Sequence, residues 1–135
     1  MTTIPSTLNH LSLPSRDASA TAAFFERHLG FETSSFGTSR ILKKDGLDIV
    51  IEHVTDRDVS WPTNFHIGVE LASRDDVERL HAELVSHAVP METDVFLHAR
   101  GSRFFCWVPG GVMLEVNTRA DAEPRFRATF ASQRT

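Results

Sequence analysis

The stretch Asn64-Phe65-His66-Ile67-Gly68-Val69-Glu70-Leu71 places Phe65, Ile67, Val69 and Leu71 on one face of an extended chain and His66 on the other. Strict period-two alternation of this length marks a half-buried strand, with one face on a packed core and the opposite face left for other chemistry. Nearly the same order occurs earlier, in Asn9-His10-Leu11-Ser12-Leu13. Each copy runs through Ser-Arg-Asp (15–17 and 73–75) into a helix-like pattern. The chain is therefore read as an internal duplication whose halves each run β-α-β-β-β, and this constrains the fold more than any other feature.

Local signals fill in each half. Leu8 to Leu13 alternates as a first strand that Pro14 closes. Asp17 is a good N-cap for a helix over Ala18 to Leu29, where Ala20, Phe24, Phe25 and Leu29 form an apolar stripe and Gly30 is the stop. Short strands follow over Phe31 to Phe36, Arg40 to Lys44 and Leu47 to Val54, with turns at Gly37 and Asp45-Gly46. Residues 55–62 are polar and turn-rich and link the halves. The second half restarts with Asn64 to Leu71 and a helix capped by Ser73, in which Val77, Leu80, Leu84 and Val85 repeat at helical spacing. Strands are expected over Val89 to Thr93, Arg103 to Val108 and Val112 to Asn117, with a site-bordering loop over 94–102. The expectation is one α+β domain over residues 1–135, with module 1 at about 7–54, module 2 at about 63–118 and a tail, 119–135, that is a short helix or frayed.

Composition narrows the partners. A formal charge of -4, with scattered Lys and Arg, gives no reason to expect nucleic acid or an anionic membrane. The single cysteine, Cys106, excludes an intramolecular disulfide and reads as a small buried hydrophobe in a reducing compartment. No leader pattern and no apolar run approaching the ~18 residues of a membrane span are present, so a cytoplasmic protein is expected.

Strand parity decides which polar residues share a surface. His10 opposes Leu11 and Leu13, His66 opposes Phe65 and Ile67, Glu52 alternates with Ile49 and Ile51, and Glu115 stands between Leu114 and Val116. Each half thus supplies one histidine on its first strand and one glutamate on its last. A carboxylate between apolar neighbours on a buried strand is costly unless paired or bound to a cation. Two such carboxylates with two histidines point to a divalent metal, and Zn, Ni, Co, Mn and Fe all suit imidazole and carboxylate. Glu52 also reads as a solvated strand end. The other histidines (His28, His53, His81, His87, His98) read as structural or surface residues, and Glu70 as a hydrogen-bonding neighbour of His66.

These residues resemble the vicinal oxygen chelate superfamily, which includes glyoxalase I, methylmalonyl-CoA epimerase, fosfomycin-resistance thiol transferases, extradiol dioxygenases and bleomycin-binding proteins. The marks are Asn9 to Leu13, Phe24-Phe25 ahead of Leu29-Gly30-Phe31, Phe65 to Gly68, and Pro109-Gly110-Gly111-Val112-Met113-Leu114-Glu115-Val116. The family's Asp-Pro-x-Gly turn is Val108-Pro109-Gly110-Gly111 here. The resemblance implies paired βαβββ modules that curl a mixed sheet around a metal-binding cavity, with helices outside. It places His10, His66 and Glu115 on the usual ligand positions and Glu52 on the fourth ligand of glyoxalase I, with Glu52 or Glu115 as the base. The implied activity is that of a metal-dependent lyase or isomerase, acting on a small substrate with adjacent oxygens through a metal-stabilised enediolate, with or without a thiol cosubstrate. Implied too is a homodimer whose sites are shared between chains.

Three alternatives stand beside that reading. A fosfomycin-type thiol transferase and an extradiol dioxygenase use a tyrosine that this chain lacks, and for the latter only a loop residue such as His98 is available as second-sphere histidine. A metal-free drug-sequestering protein would use Phe36, Trp61, Phe105 and Trp107 as cavity walls.

Overall fold

A computed structural model describes residues 3–131, which form two compact units, one ending at Ser60 and one starting at Trp61. The fold is α+β, with two separate mixed sheets, neither closed into a barrel. No helix of the described residues is long and apolar enough to cross a membrane.

The first unit runs β1 (His10–Ser15), α1 (Ala18–Leu29), β2 (Glu32–Phe36), β3 (Ser39–Lys44) and β4 (Leu47–His53). Its strands lie in the order β1-β4-β3-β2, with β1 parallel to β4 and the other pairs antiparallel. The Asp17 carboxylate accepts the Ala20 amide at 3.0 Å, a cap contributing about 1 kcal/mol. Gly30, with φ 72°, ends α1 in the left-handed conformation that glycine adopts without strain. The face α1 buries is Ala18, Thr21, Ala22, Phe24 and Phe25, packed with Leu42, Ile49 and Ile51; Ala20 and Leu29 only flank it. Pro14 does not close the first strand: β1 continues to Ser15, with Pro14 opposite Glu52. It is tolerated because β1 lies at the sheet edge, where a missing N–H breaks no second ladder.

The second unit runs β5 (His66–Leu71), α2 (Arg74–Ser86), β6 (Arg103–Trp107), β7 (Met113–Thr118) and α3 (Pro124–Ala131). Its strands lie in the order β5-β7-β6, with β5 parallel and β6 antiparallel to β7. The Ser73 hydroxyl accepts the Asp76 amide at 3.1 Å, as its sequence position predicts. Val77 and Leu84 are buried from α2, whereas Val85 is 51% exposed and outside the stripe. The expected strand over Val89 to Thr93 is reduced to one isolated bridge, Met91 with Cys106, and a second, Phe96 with Arg103, falls in the segment expected as a loop. The Glu92 and Thr93 amides both donate to the Phe105 carbonyl, at 2.9 and 3.2 Å, so two residues oppose one and the ladder bulges. The second module therefore has three regular strands where four were expected. The tail forms α3 as far as the described residues extend, with Pro124 at its first position, where an absent N–H is harmless.

Candidate metal and ligand site

In the second sheet, Ile67, Val69 and Leu71 of β5 share a face with buried Leu114, Val116, Phe104 and Cys106. The opposite face carries His66, Gly68 and Glu70 of β5, Met113, Glu115 and Asn117 of β7, and Arg103, Phe105 and Trp107 of β6. Glu115 is the centre of that face, paired with Gly68 on one side and Phe105 on the other. A Cβ on Gly68 would come 3.9 Å from both a Glu115 oxygen and the Asn117 amide nitrogen, so the glycine leaves the carboxylate uncovered on that side.

The hydrogen bonds of Glu115 are defined. Its Oε1 accepts from Arg103 Nη1 at 3.1 Å and stands 3.6 Å from His66 Nε2, and its Oε2 accepts from Asn117 Nδ2 at 2.5 Å. Arg103 and Glu115 are 7% and 8% exposed, so their charges compensate each other away from water. Giving its nitrogen to Glu115 leaves Asn117 Oδ1 buried without a partner among the described residues. His66 Nδ1 lies 2.8 Å from the Asn64 carbonyl, which can only accept, so Nδ1 carries a proton and Nε2 is the ring atom turned toward Glu115. Asn64 holds that carbonyl from a left-handed turn, with φ 70°. The Phe105 ring meets the His66 ring edge-on at 5.5 Å and fixes its plane.

This donor chemistry fits a divalent cation. His66 Nε2 and Glu115 Oε1, 3.6 Å apart, are an imidazole nitrogen and a carboxylate oxygen, both donors that suit a first-row divalent ion. Ligands each bonded at about 2.1 Å stand no more than about 4.2 Å apart, so the observed separation spans one ion. A backbone carbonyl on the far ring nitrogen is the usual second partner of a metal-binding imidazole. Among the described residues, however, no three His, Cys, Asp or Glu side chains are gathered at one point.

His10 repeats the pattern within the first unit: its Nδ1 is 2.6 Å from Asn9 Oδ1, leaving Nε2 to the exposed surface. Glu52 is exposed on the same face of that sheet as His10, but the register separates them. His10 pairs with Asp48, and Glu52 with Pro14 four residues further, about 13 Å along the strand. Asp48 beside His10 is itself held by Lys43 at 3.2 Å. Of the four residues singled out from sequence, His66 and Glu115 are thus brought together, while His10 and Glu52 stand apart on one face.

Next to Glu115 a pocket of about 270 Å³ opens, also in the second unit. Glu70, Asn117, Arg103, Arg119, Arg100 and Phe130 line it. Arg100 comes from the 94–102 segment, whose end is pinned to β7. A Cβ on Gly101, at φ +115°, would sit 1.8 Å from the Thr118 carbonyl oxygen, so only glycine passes there. Asp121 takes the Ser102 amide at 2.8 Å and its hydroxyl at 2.5 Å. Burial works against the Asp121 carboxylate, but the Ser102 hydrogen bonds and the Arg74 charge outweigh it and hold the carboxyl below its ordinary value. Arg103, Asn117, Arg119 and Phe130 escape sequence reasoning. Parity does place Arg103 with Phe105, but nothing local shows that it meets Glu115.

Of the other residues marked from sequence, Cys106 is fully buried, and burial pushes its thiol up to about 12, so it packs as a hydrophobe. His98 Nδ1 accepts the Arg100 amide at 3.0 Å, a turn role. Among the aromatic residues, Phe36 is 74% exposed, Trp61 stacks on Phe65 at 5.1 Å, and Trp107 donates to Glu92 at 3.0 Å.

Known proteins agree with this fold. A possible glyoxalase from Bacillus cereus superposes with a TM-score of 0.72 at 22% identity, covering 84% of this chain and 99% of its own. Lactoylglutathione lyase from Agrobacterium tumefaciens superposes at 0.67 with 15% identity, covering 84% of this chain and 94% of its own. A glyoxalase/bleomycin resistance protein/dioxygenase from Nocardioides gives 0.72 at 17% identity, covering 91% and 90%. No curated protein sequence matches the chain. The sequence model of one family matches residues 7–116, and with it the chain belongs to the Glyoxalase/Bleomycin resistance protein/Dioxygenase superfamily.

Proposed function

We propose that the chain is a metal-dependent lyase or isomerase of the glyoxalase type, acting on a small substrate with adjacent oxygens, with His10, His66, Glu115 and Glu52 as its metal-site residues. The observation that carries this reading is the shared histidine geometry. In both modules Nδ1 is held by an oxygen acceptor and Nε2 is left to bind. When bound, a divalent ion supplies Lewis acidity to the substrate's adjacent oxygens. His66 and Glu115 hold and orient it from the second sheet, and Arg103 and Asn117 fix the Glu115 carboxylate so that it does not turn away. The Glu52 side chain is exposed and has no hydrogen-bond partner among the described residues, which leaves its carboxylate able to reorient and suits a base that moves a proton. The proposal includes cytoplasmic location and a homodimer in which partner chains complete each other's ligand sets. Chains carrying His10→Ala and Glu115→Ala, mixed under subunit exchange, then recover part of the metal binding that each lacks alone. Failure to recover despite proven exchange rejects site sharing.

A second reading, the metal-free binding protein, has one observation in its favour: Arg103 already neutralises Glu115 without a metal. One titration separates the two. Chelator-stripped full chain titrated with Ni²⁺ or Zn²⁺ by calorimetry is expected to show saturable binding, and its absence at neutral pH selects the metal-free reading. Glu52→Gln is expected to weaken that binding by less than about tenfold while slowing deuterium wash-in next to the carbonyl of an α-hydroxyketone by about 10²-fold or more. Unchanged wash-in returns Glu52 to the solvated surface.

A further inference from the structure

The pocket beside Glu115 has more positive charge than its own carboxylates balance. Three guanidinium groups, of Arg100, Arg103 and Arg119, face two carboxylates, of Glu70 and Glu115, leaving a surplus of one. Arg103 is committed to Glu115 at 3.1 Å. Arg119 stands over the Phe130 ring, its Cζ 3.8 Å from the centroid, and its Nε reaches Glu70 only at 3.8 Å, beyond hydrogen-bond distance, which leaves N–H donors without a close acceptor among the described residues. Arg100 stands 5.8 Å from the same ring centroid and makes no ion pair among the described residues. Its backbone is nevertheless held in place, by Gly101 against Thr118 and by Ser102 on Asp121. A guanidinium whose backbone is anchored and that has no ion pair among the described residues, in a concave site with a second beside it, is an arrangement that receives an oxyanion.

We propose that this pocket is an oxyanion subsite, taking the carboxylate or phosphate of a small organic molecule on Arg100 and Arg119 with its apolar part against Phe130. The volume of about 270 Å³ suits a ligand of roughly ten heavy atoms, below the usual drug-sized range. The subsite stands on the pocket's charge and shape and goes beyond the metal reading, although Glu115 borders both.

The test titrates benzoate, phenyl phosphate and the neutral isostere benzamide into chelator-stripped and metal-loaded full chain, followed by calorimetry. Benzoate or phenyl phosphate is expected to bind at least about tenfold more tightly than benzamide, and to lose about tenfold in Arg100→Gln, an exposed change that leaves the core untouched. The tighter of the two identifies the oxyanion. Arg119→Gln is a second variant with the same expected loss, and His66→Ala is expected to keep the binding. Equal affinity for benzoate, phenyl phosphate and benzamide overturns the subsite, as does anion binding unchanged in both arginine variants. Anion binding lost in His66→Ala but kept in Arg100→Gln places the anion at the metal residues. That result overturns the subsite while leaving the proposed function standing, whereas anion binding without any metal binding does the reverse.

Discussion

Arg103→Met is expected to lower the stability of the metal-free protein by about 3–5 kcal/mol, because it removes one partner of a buried ion pair and leaves the Glu115 carboxylate uncompensated. Methionine covers the apolar stem of the arginine but offers no donor to the oxygen that loses its 3.1 Å contact. Asn117 remains on the other oxygen and moderates the loss without cancelling it. For a chain of this size each kcal/mol corresponds to roughly 2–8 °C in Tm, so the loss is visible in a thermal scan. The same substitution removes the cation that competes with a metal at Glu115. Added Ni²⁺ or Zn²⁺ should then restore stability as it binds the folded state, by about 2.7 kcal/mol at a hundredfold excess over Kd. A loss under about 1 kcal/mol sinks the description of Glu115 as dependent on Arg103. A full loss that no divalent ion relieves sinks the metal fit.

His66→Ala should produce the complementary result, a fall of about 100-fold or more in affinity for a divalent ion with little change in stability. The imidazole side chain is 31% exposed and opposes the packed face of β5, so its removal opens no cavity in the core. What disappears is the Nε2 atom that the Asn64 carbonyl, through Nδ1, orients toward Glu115. Calorimetric titration of parent and variant, with a urea melt on each, separates the two effects. Equal metal affinity in both proteins rules His66 out as a ligand, and a large stability loss means that the ring is structural.

Much of the fold is legible because its signals are local. The cap of α1 on Asp17, its stop at Gly30 and the cap of α2 on Ser73 each depend on contacts within a few residues. Alternation likewise separates Ile67 from His66 and Leu114 from Glu115, since neighbours on a strand must point to opposite faces. The β1 boundary and the strand expected over Val89 to Thr93 fail on non-local grounds. Pro14 stays in its strand because β1 is an edge, and the two amides opposing Phe105 break a ladder whose partner is more than ten residues away.

From the sequence alone come the two-module α+β plan, the helices and the nomination of His10, His66, Glu52 and Glu115. Tertiary structure decides how those nominations are realised. Pairing β5 with β7 sets His66 against Glu115, and the β6–β7 register delivers Arg103 to the same carboxylate. The β1–β4 register instead carries Glu52 four positions from the pairing level of His10. The physical reason is that periodicity determines which face a side chain occupies, whereas the level at which two strands align is set by packing of their buried faces. In the second sheet that means Leu114 and Val116 against Phe104 and α2, contacts between segments far apart in the chain.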